Sequence, residues 1–374
     1  MFYSPHILLP GPTPVPETVE RAMMTSMSDH RGALFDAVRQ RVPTRLHDLF
    51  HLDPDGRVAV LPASGTGGLE AVVQNFLQPG DPVLVVEGGL FGQRFVRSAE
   101  AVGLTVRKWL HPWGTAFDPA SIVEELDRHP VKAVLVTHNE TSTGVLNPLN
   151  ELAAMMKSLP ARPLLVADSI SGIPSVPLDM AGWGVDVAVA ASQKGFMVPP
   201  GLAFVAASGR AREHLQANRP GRYYFDLTPY FDNNFPYTPA ISLWYGLDQA
   251  LSLLIQEGES LRFARHQLMS RMVRAFGAAG GFSLPVDEAV ASPTVTAYDV
   301  PSPLIPSRIR QAAAAEGLEI AGGLGRWHET GIRIGHVGAL DIGDLWAGLG
   351  MLAHHMPQPE AALAAAFDVW KTAR

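Results

Sequence analysis

Short apolar runs rich in valine and leucine recur along this chain, at Val58–Leu61, Pro82–Val86, Ala133–Val136, Leu164–Val166, Val185–Val189 and Leu202–Val205. Strands of this kind are buried on both faces, and the intervals between them are long enough for crossover helices. The pattern therefore predicts an α/β fold, a mostly parallel sheet wrapped by helices. Gln78-Pro79-Gly80-Asp81-Pro82 and Pro160-Ala161-Arg162-Pro163 punctuate the helix-to-strand turns.

From Ile241 to Ile255 the spacing turns helical, with Leu243, Leu247, Leu251 and Leu254 at threes and fours, and a further helix is expected over 260–277. Beyond 281 come a strand at Thr294–Tyr298, a helix over 307–316, a strand at Gly331–Gly335 and a helix over 341–353, which read as a smaller α/β unit. The expected organisation is an N-terminal arm at 1–20, a large domain at 21–257 and a small C-terminal domain at 258–374.

With 374 residues, 47% of them hydrophobic, the chain can bury a large core. A formal charge of −7 and the absence of lysine or arginine runs argue against nucleic acid or an anionic membrane as partner. No cysteine occurs, which removes disulfides, thiolate metal sites and a thiol nucleophile together. Met1–Pro16 is broken by five prolines and does not read as a signal peptide, and no apolar stretch nears the roughly 20 residues of a membrane span, so a cytoplasmic protein is the default expectation. His47 and His51 lack the glutamate of a zinc-binding His-Glu-x-x-His and read as helix-surface histidines; no metal is expected.

The chemistry concentrates in the run Ala190–Gly201, which sets Lys194 in an uncharged stretch between a strand and a Pro-Pro-Gly turn, while Leu164–Ser169 ends a strand on Asp168. An amine and a carboxylate on successive strand ends can grip both reactive ends of pyridoxal phosphate, the aldehyde through an imine to Lys194 and the pyridine nitrogen through Asp168. Leu61–Ala71 is a strand, a glycine-rich turn and a helix; the amides at Gly67 and Gly68, with the hydroxyls of Ser64 and Thr66, suit a phosphate. A purely structural helix cap fits the same residues. Glu87–Arg94 places Phe91 in a glycine-lined loop, where it can lie against a planar ring or simply fill the core. Thr137–Val145 is a polar strand exit, suited to hydrogen-bonding a ring oxygen or to forming a turn. Arg333, between two isoleucines, either grips a substrate carboxylate or makes an internal salt bridge.

Together these stretches resemble the class V, fold type I aminotransferases that depend on pyridoxal phosphate, in particular the alanine–glyoxylate and serine–glyoxylate group. The resemblance runs from Leu9–Pro16 through Ser64–Ala71, Thr137–Val145 and Ser192–Lys194 with Pro199–Gly201, to Arg333–His336. It implies that Thr66, Gly67 and Gly68 hold the phosphate, Phe91 stacks on the pyridine, Thr141 reaches the ring hydroxyl, Gln193 sits beside Lys194, and Arg333 takes the substrate carboxylate. Phe235–Pro239 resembles a segment lent by a neighbouring subunit, with Thr238 the phosphate-binding hydroxyl, so a homodimer with shared sites is implied. Phe91 and Phe235 stand where many relatives carry tryptophan and tyrosine.

The activity implied is ping-pong transamination between a small amino acid, alanine or serine, and a small 2-oxo acid, glyoxylate or pyruvate. In it Lys194 both carries the cofactor and moves a proton. Pyridoxamine–pyruvate aminotransferase is the alternative, resembling the chain at Phe235–Gly246, Ala291–Thr294 and Arg333–Gly338. A non-catalytic binding protein on the same scaffold is the alternative of another class.

Overall fold

The computed structural model describes residues 5–215, 222–232 and 235–373. Its strands are β1 (His6–Leu8), β2 (Arg57–Leu61), β3 (Pro82–Glu87), β4 (Thr105–Leu110), β5 (Ala133–Thr137), β6 (Asn139–Glu140), β7 (Val145–Leu146), β8 (Leu164–Asp168), β9 (Val187–Ala191), β10 (Ala203–Ala207), β11 (Val295–Asp299), β12 (Leu318–Gly322) and β13 (Gly331–Gly335). Seven of them form one sheet in the order β2-β10-β9-β8-β5-β3-β4. β10 runs antiparallel to both its neighbours and every other pairing is parallel, as the uninterrupted apolar runs predict.

The sheet is buried on both faces because consecutive residues feed opposite cores. Leu84, Val86, Val134 and Val136 pack into one apolar layer, with Phe35, Phe204 and Trp244. Val83, Val85, Ala133 and Leu135 enter the other, with Leu69, Val72, Phe76 and Phe95. β4, absent from the sequence expectation, is the edge strand: it carries Arg107 and Lys108 and has no fully buried position, so it offers no apolar run to read.

A second sheet, in the order β1-β12-β13-β11, packs on the helices Glu259–Ala279, Ile342–Ala353 and Pro359–Thr372 around Phe276, Tyr298, Ile332, Ile334 and Leu349. Its outer strand comes from the other end of the chain, since β1 pairs parallel with β12. The arm then continues across β13, where a Cβ on Gly335 would come within 2.1 Å of the Leu9 backbone. It leads into the helix Glu17–Met23. No helix among the described residues is long and apolar enough to cross a membrane.

Candidate active site

Because β2, β3, β5, β8 and β9 all point the same way, the five segments that follow them meet at one edge of the large sheet, the edge where open α/β sheets bind ligands. Those strand ends and segments carry Ser64–Gly68, Gly88–Phe91, Thr141, Asp168, the last residue of β8, and Lys194 in turn.

Lys194 follows β9 in a loop closed by Ser192, whose hydroxyl donates to the Pro199 carbonyl at 2.7 Å and accepts from the Leu202 amide at 3.2 Å. Its Nζ donates to the Pro10 carbonyl at 2.9 Å, and Thr13 Oγ1 donates to the Lys194 carbonyl at 3.0 Å, so the arm is laid directly over the lysine. Gly11, at φ 134°, must be glycine here: a Cβ would stand 2.4 Å from Nζ. Burial lowers the Lys194 pKa to about 8, and the positive charge of Arg333 pushes the same way against the pull of Asp168.

Asp168 is 3% exposed, and its Oδ1 accepts from the Ile170 amide at 3.0 Å. Burial raises its pKa to about 7, opposed by that hydrogen bond; Glu140 adds to the rise, while Arg94 and Lys194 counter it. No ion pair joins Asp168 to any cation among the described residues, so the lysine and the carboxylate share a field without touching.

In the glycine-rich turn, Ser64 caps the helix Gly65–Phe76, its hydroxyl accepting from the Gly67 amide at 3.3 Å. Gly68 holds the helix end tight on the sheet, since a Cβ there would lie 2.8 Å from Val189 and 3.2 Å from Ala203. Thr66 Oγ1 accepts from Arg94 Nη1 at 3.3 Å, and the same guanidinium lies 4.9 Å from the Phe91 ring centre. Arg94 has no carboxylate partner among the described residues. The sequence reading gave it no role, although a cation three residues after an aromatic in a glycine-rich segment was the available signal.

Phe91 does not stand in a loop, as the glycines around it predict, but on the first turn of the helix Leu90–Ala101. The buried carboxylate of Glu140 accepts from the Phe91 and Gly92 amides, each at 3.1 Å, and Ser142 Oγ accepts from Leu90 at 2.9 Å. These bonds cap the helix from the neighbouring segment and extend it backwards. Glu140 is thus a second residue with a task that spacing did not reveal.

Thr141 Oγ1 donates to Ser171 Oγ. Arg333, 8% exposed, donates through Nε to the Gly322 carbonyl at 2.8 Å and through Nη1 to the Thr141 carbonyl at 3.0 Å. The internal salt bridge considered for it is not found among the described residues, and burial brings its pKa down to about 10. Gln193 Oε1 is buried without a hydrogen-bond partner.

Thr238 is exposed and follows Tyr237, which stacks on Tyr224 at 5.0 Å. Phe235 is a core ring, 5.8 Å from Phe35 and 5.0 Å from Trp244. Neither histidine of the spaced pair is directed at a shared centre. His47 bonds the Asp53 carbonyl and His51 bonds Glu259, each at 3.0 Å.

The donor set fits pyridoxal phosphate. Buried ionisable groups are ordinarily paired, yet here an amine, a carboxyl and a guanidinium converge without an ion-pair partner beside the orphaned amide oxygen of Gln193 and the N-terminus of the helix Gly65–Phe76. A cationic ring nitrogen, a carbonyl and anionic groups would satisfy them together.

Comparison with known proteins agrees. The family model for aminotransferase class V matches residues 15–323. A serine–glyoxylate aminotransferase of Hyphomicrobium methylovorum is 38% identical over 356 residues, covering 91% of this chain and 87% of that one. A Synechococcus protein named soluble hydrogenase, small subunit, is 34% identical over 98% of both chains. The crystal structure of pyridoxamine–pyruvate aminotransferase from Mesorhizobium loti superposes with a TM-score of 0.92 at 26% identity, over 98% of this chain and 97% of that one. From the edge of the sheet to the length of the match, one conclusion holds: this chain belongs to the class V aminotransferases and is a pyridoxal-phosphate-dependent aminotransferase.

Proposed function

We propose that the enzyme moves an amino group from a small amino acid, alanine or serine, to a small 2-oxo acid, glyoxylate or pyruvate, by ping-pong exchange, as a cytoplasmic homodimer with shared sites. The observation that carries this reading is Arg333: a buried guanidinium without a carboxylate of its own, whose charge is felt at Lys194. Its planar fork of donors fits a carboxylate bidentately, and a carboxylate is what amino acid and 2-oxo acid have in common. The glyoxylate named for the Hyphomicrobium relative supports the choice of acceptor. The hydrogenase name borne by the Synechococcus relative finds no support in a chain without cysteine, which has no thiolate to hold an iron–sulfur cluster.

When bound, pyridoxal phosphate supplies a carbonyl that condenses with amines and an electron-poor ring that stabilises negative charge at the substrate's α-carbon. Ser64, Thr66, Gly67 and Gly68 would hold its phosphate, with Arg94 adding a side-chain cation at the turn. Phe91 would lie against the ring, Thr141 would reach the ring hydroxyl, and Gln193 would use its unpaired amide. Thr238, exposed here, would be lent by a second copy. Asp168 would face the ring nitrogen, where an opposing cation keeps it ionised against the effect of burial.

Lys194 Nζ would carry the cofactor and, once freed, take the proton from the α-carbon. With a pKa near 8 its amine is available as a base close to neutrality. Arg333 would fix the substrate so that the α-hydrogen faces that amine.

Adding single amino acids to the holoenzyme tests the reading. Alanine or serine should bleach the visible cofactor band, and glyoxylate or pyruvate should restore it. If no amino acid bleaches it while free pyridoxamine and pyruvate turn over, the exchange named for the Mesorhizobium structure takes its place, a second reading favoured by the close superposition.

A further inference from the structure

Arg333 is held from two directions, by the Gly322 carbonyl inside the second sheet and by the Thr141 carbonyl on the segment after β5. Where that sheet sits against that segment therefore decides how far the guanidinium reaches. A buried polar cluster fixes the seat, and Asn139 is its centre. Asn139 Nδ2 donates to Ser171 Oγ at 2.8 Å on the large-sheet side and to Thr294 Oγ1 at 2.9 Å on the other. Its Oδ1 accepts from Ser292 Oγ at 2.7 Å. Thr294 Oγ1 in turn donates to the Ser171 carbonyl at 3.1 Å, and Ser171 Oγ accepts from Thr141.

All of these side chains are at most 6% exposed. Any slip of the second sheet would leave several of them buried and unpaired, which penalises every other register. The link to Arg333 is short. β11 begins at Val295, the residue after Thr294, and pairs there with Gly335 of β13, while the His336 amide donates to the Thr294 carbonyl at 2.9 Å.

We propose that Asn139 is a positioning residue: through Ser292 and Thr294 it pins the strand carrying Arg333 at a fixed place relative to Lys194 and Asp168, and so sets the grip on the substrate carboxylate. This rests on the reading of Arg333 given above.

The test severs the pin from the second-sheet side, with Ser292→Ala and Thr294→Val together, leaving Asn139 and its bonds to Ser171 in place. In the holoenzyme, KM for the amino acid and for the 2-oxo acid should both rise about tenfold, as loss of hydrogen bonds of this kind implies. The visible band and the cofactor Kd should stay at the parent values, and Thr294→Ser in place of Thr294→Val should recover most of the loss. In an Arg333→Gln background the severed pin should add nothing further. Should the double variant fail to fold, Thr294→Val alone gives the same reading at smaller amplitude.

A parent-like KM in the severed enzyme, or an effect that adds in full to that of Arg333→Gln, overturns the pin. A parent-like KM in Arg333→Gln itself overturns instead the carboxylate role on which the pin depends.

Discussion

Lys194 and Asp168 feel each other's charge, yet burial drives both toward neutrality, and the two effects act in separate pH windows. In the cofactor-free protein Asp168 titrates at about 7 against an ordinary 3.8, so between those values the folded form keeps a proton that the unfolded chain has lost. Its contribution is therefore complete below about pH 4 and falls away as pH rises to about 7, a change of a few kcal/mol at most. Lys194 titrates at about 8 against 10.5, so over that range the folded form holds fewer protons and stability rises with pH. Buried His138, His266 and His336, whose pKa values burial lowers to about 4, 3 and 4, act in the opposite direction between pH 4 and 7. Denaturation of cofactor-free protein should therefore show stability rising more steeply with pH in Asp168→Asn than in the parent; equal slopes in both proteins would contradict it. These two residues were legible in the sequence because Asp168 ends a buried strand and Lys194 follows the next one by three residues, and parallel strands bring such ends together. Arg94 and Glu140 were not, because each acts across a gap between segments and neither spacing nor composition says which segments meet.

Six of the seven large-sheet strands were readable as runs, all but the edge strand β4, and the misses have local causes. β1 is three residues long and is a strand only because β12 lies beside it. The run expected from Val185 begins its ladder at Val187, because Asp186 turns its carboxylate to other work. It accepts from the Leu165 amide at 2.8 Å and pairs with Arg162 at 2.8 Å and Arg210 at 2.9 Å. That cluster ties the start of β9, the end remote from Lys194, to β8 and to the segment after β10. Removing the carboxylate leaves two guanidinium groups facing an emptied, buried position. Asp186→Ala should cost roughly 2–5 kcal/mol of stability while leaving KM for both substrates unchanged. Urea denaturation checks the first part and steady-state kinetics the second; an unchanged midpoint would contradict the structural role given to the triad.

Across the whole molecule, the first and last thirds of the chain are joined before the site is complete. β1 completes the C-terminal sheet, and the same arm then crosses β13 and covers Lys194 with the Pro10 carbonyl. The prolines of Leu9–Pro16 fitted an N-terminal arm, but what it crosses emerges only when both sheets are in place. Every role assigned above depends on the cofactor being attached at position 194. Borohydride reduction of the holoenzyme, followed by proteolysis and mass spectrometry, tests that directly. The account expects the reduced cofactor on the peptide containing Lys194, and no labelled peptide in Lys194→Ala; a label on Lys108, Lys132, Lys157 or Lys371 of the parent enzyme, or a labelled Lys194→Ala protein, would contradict it.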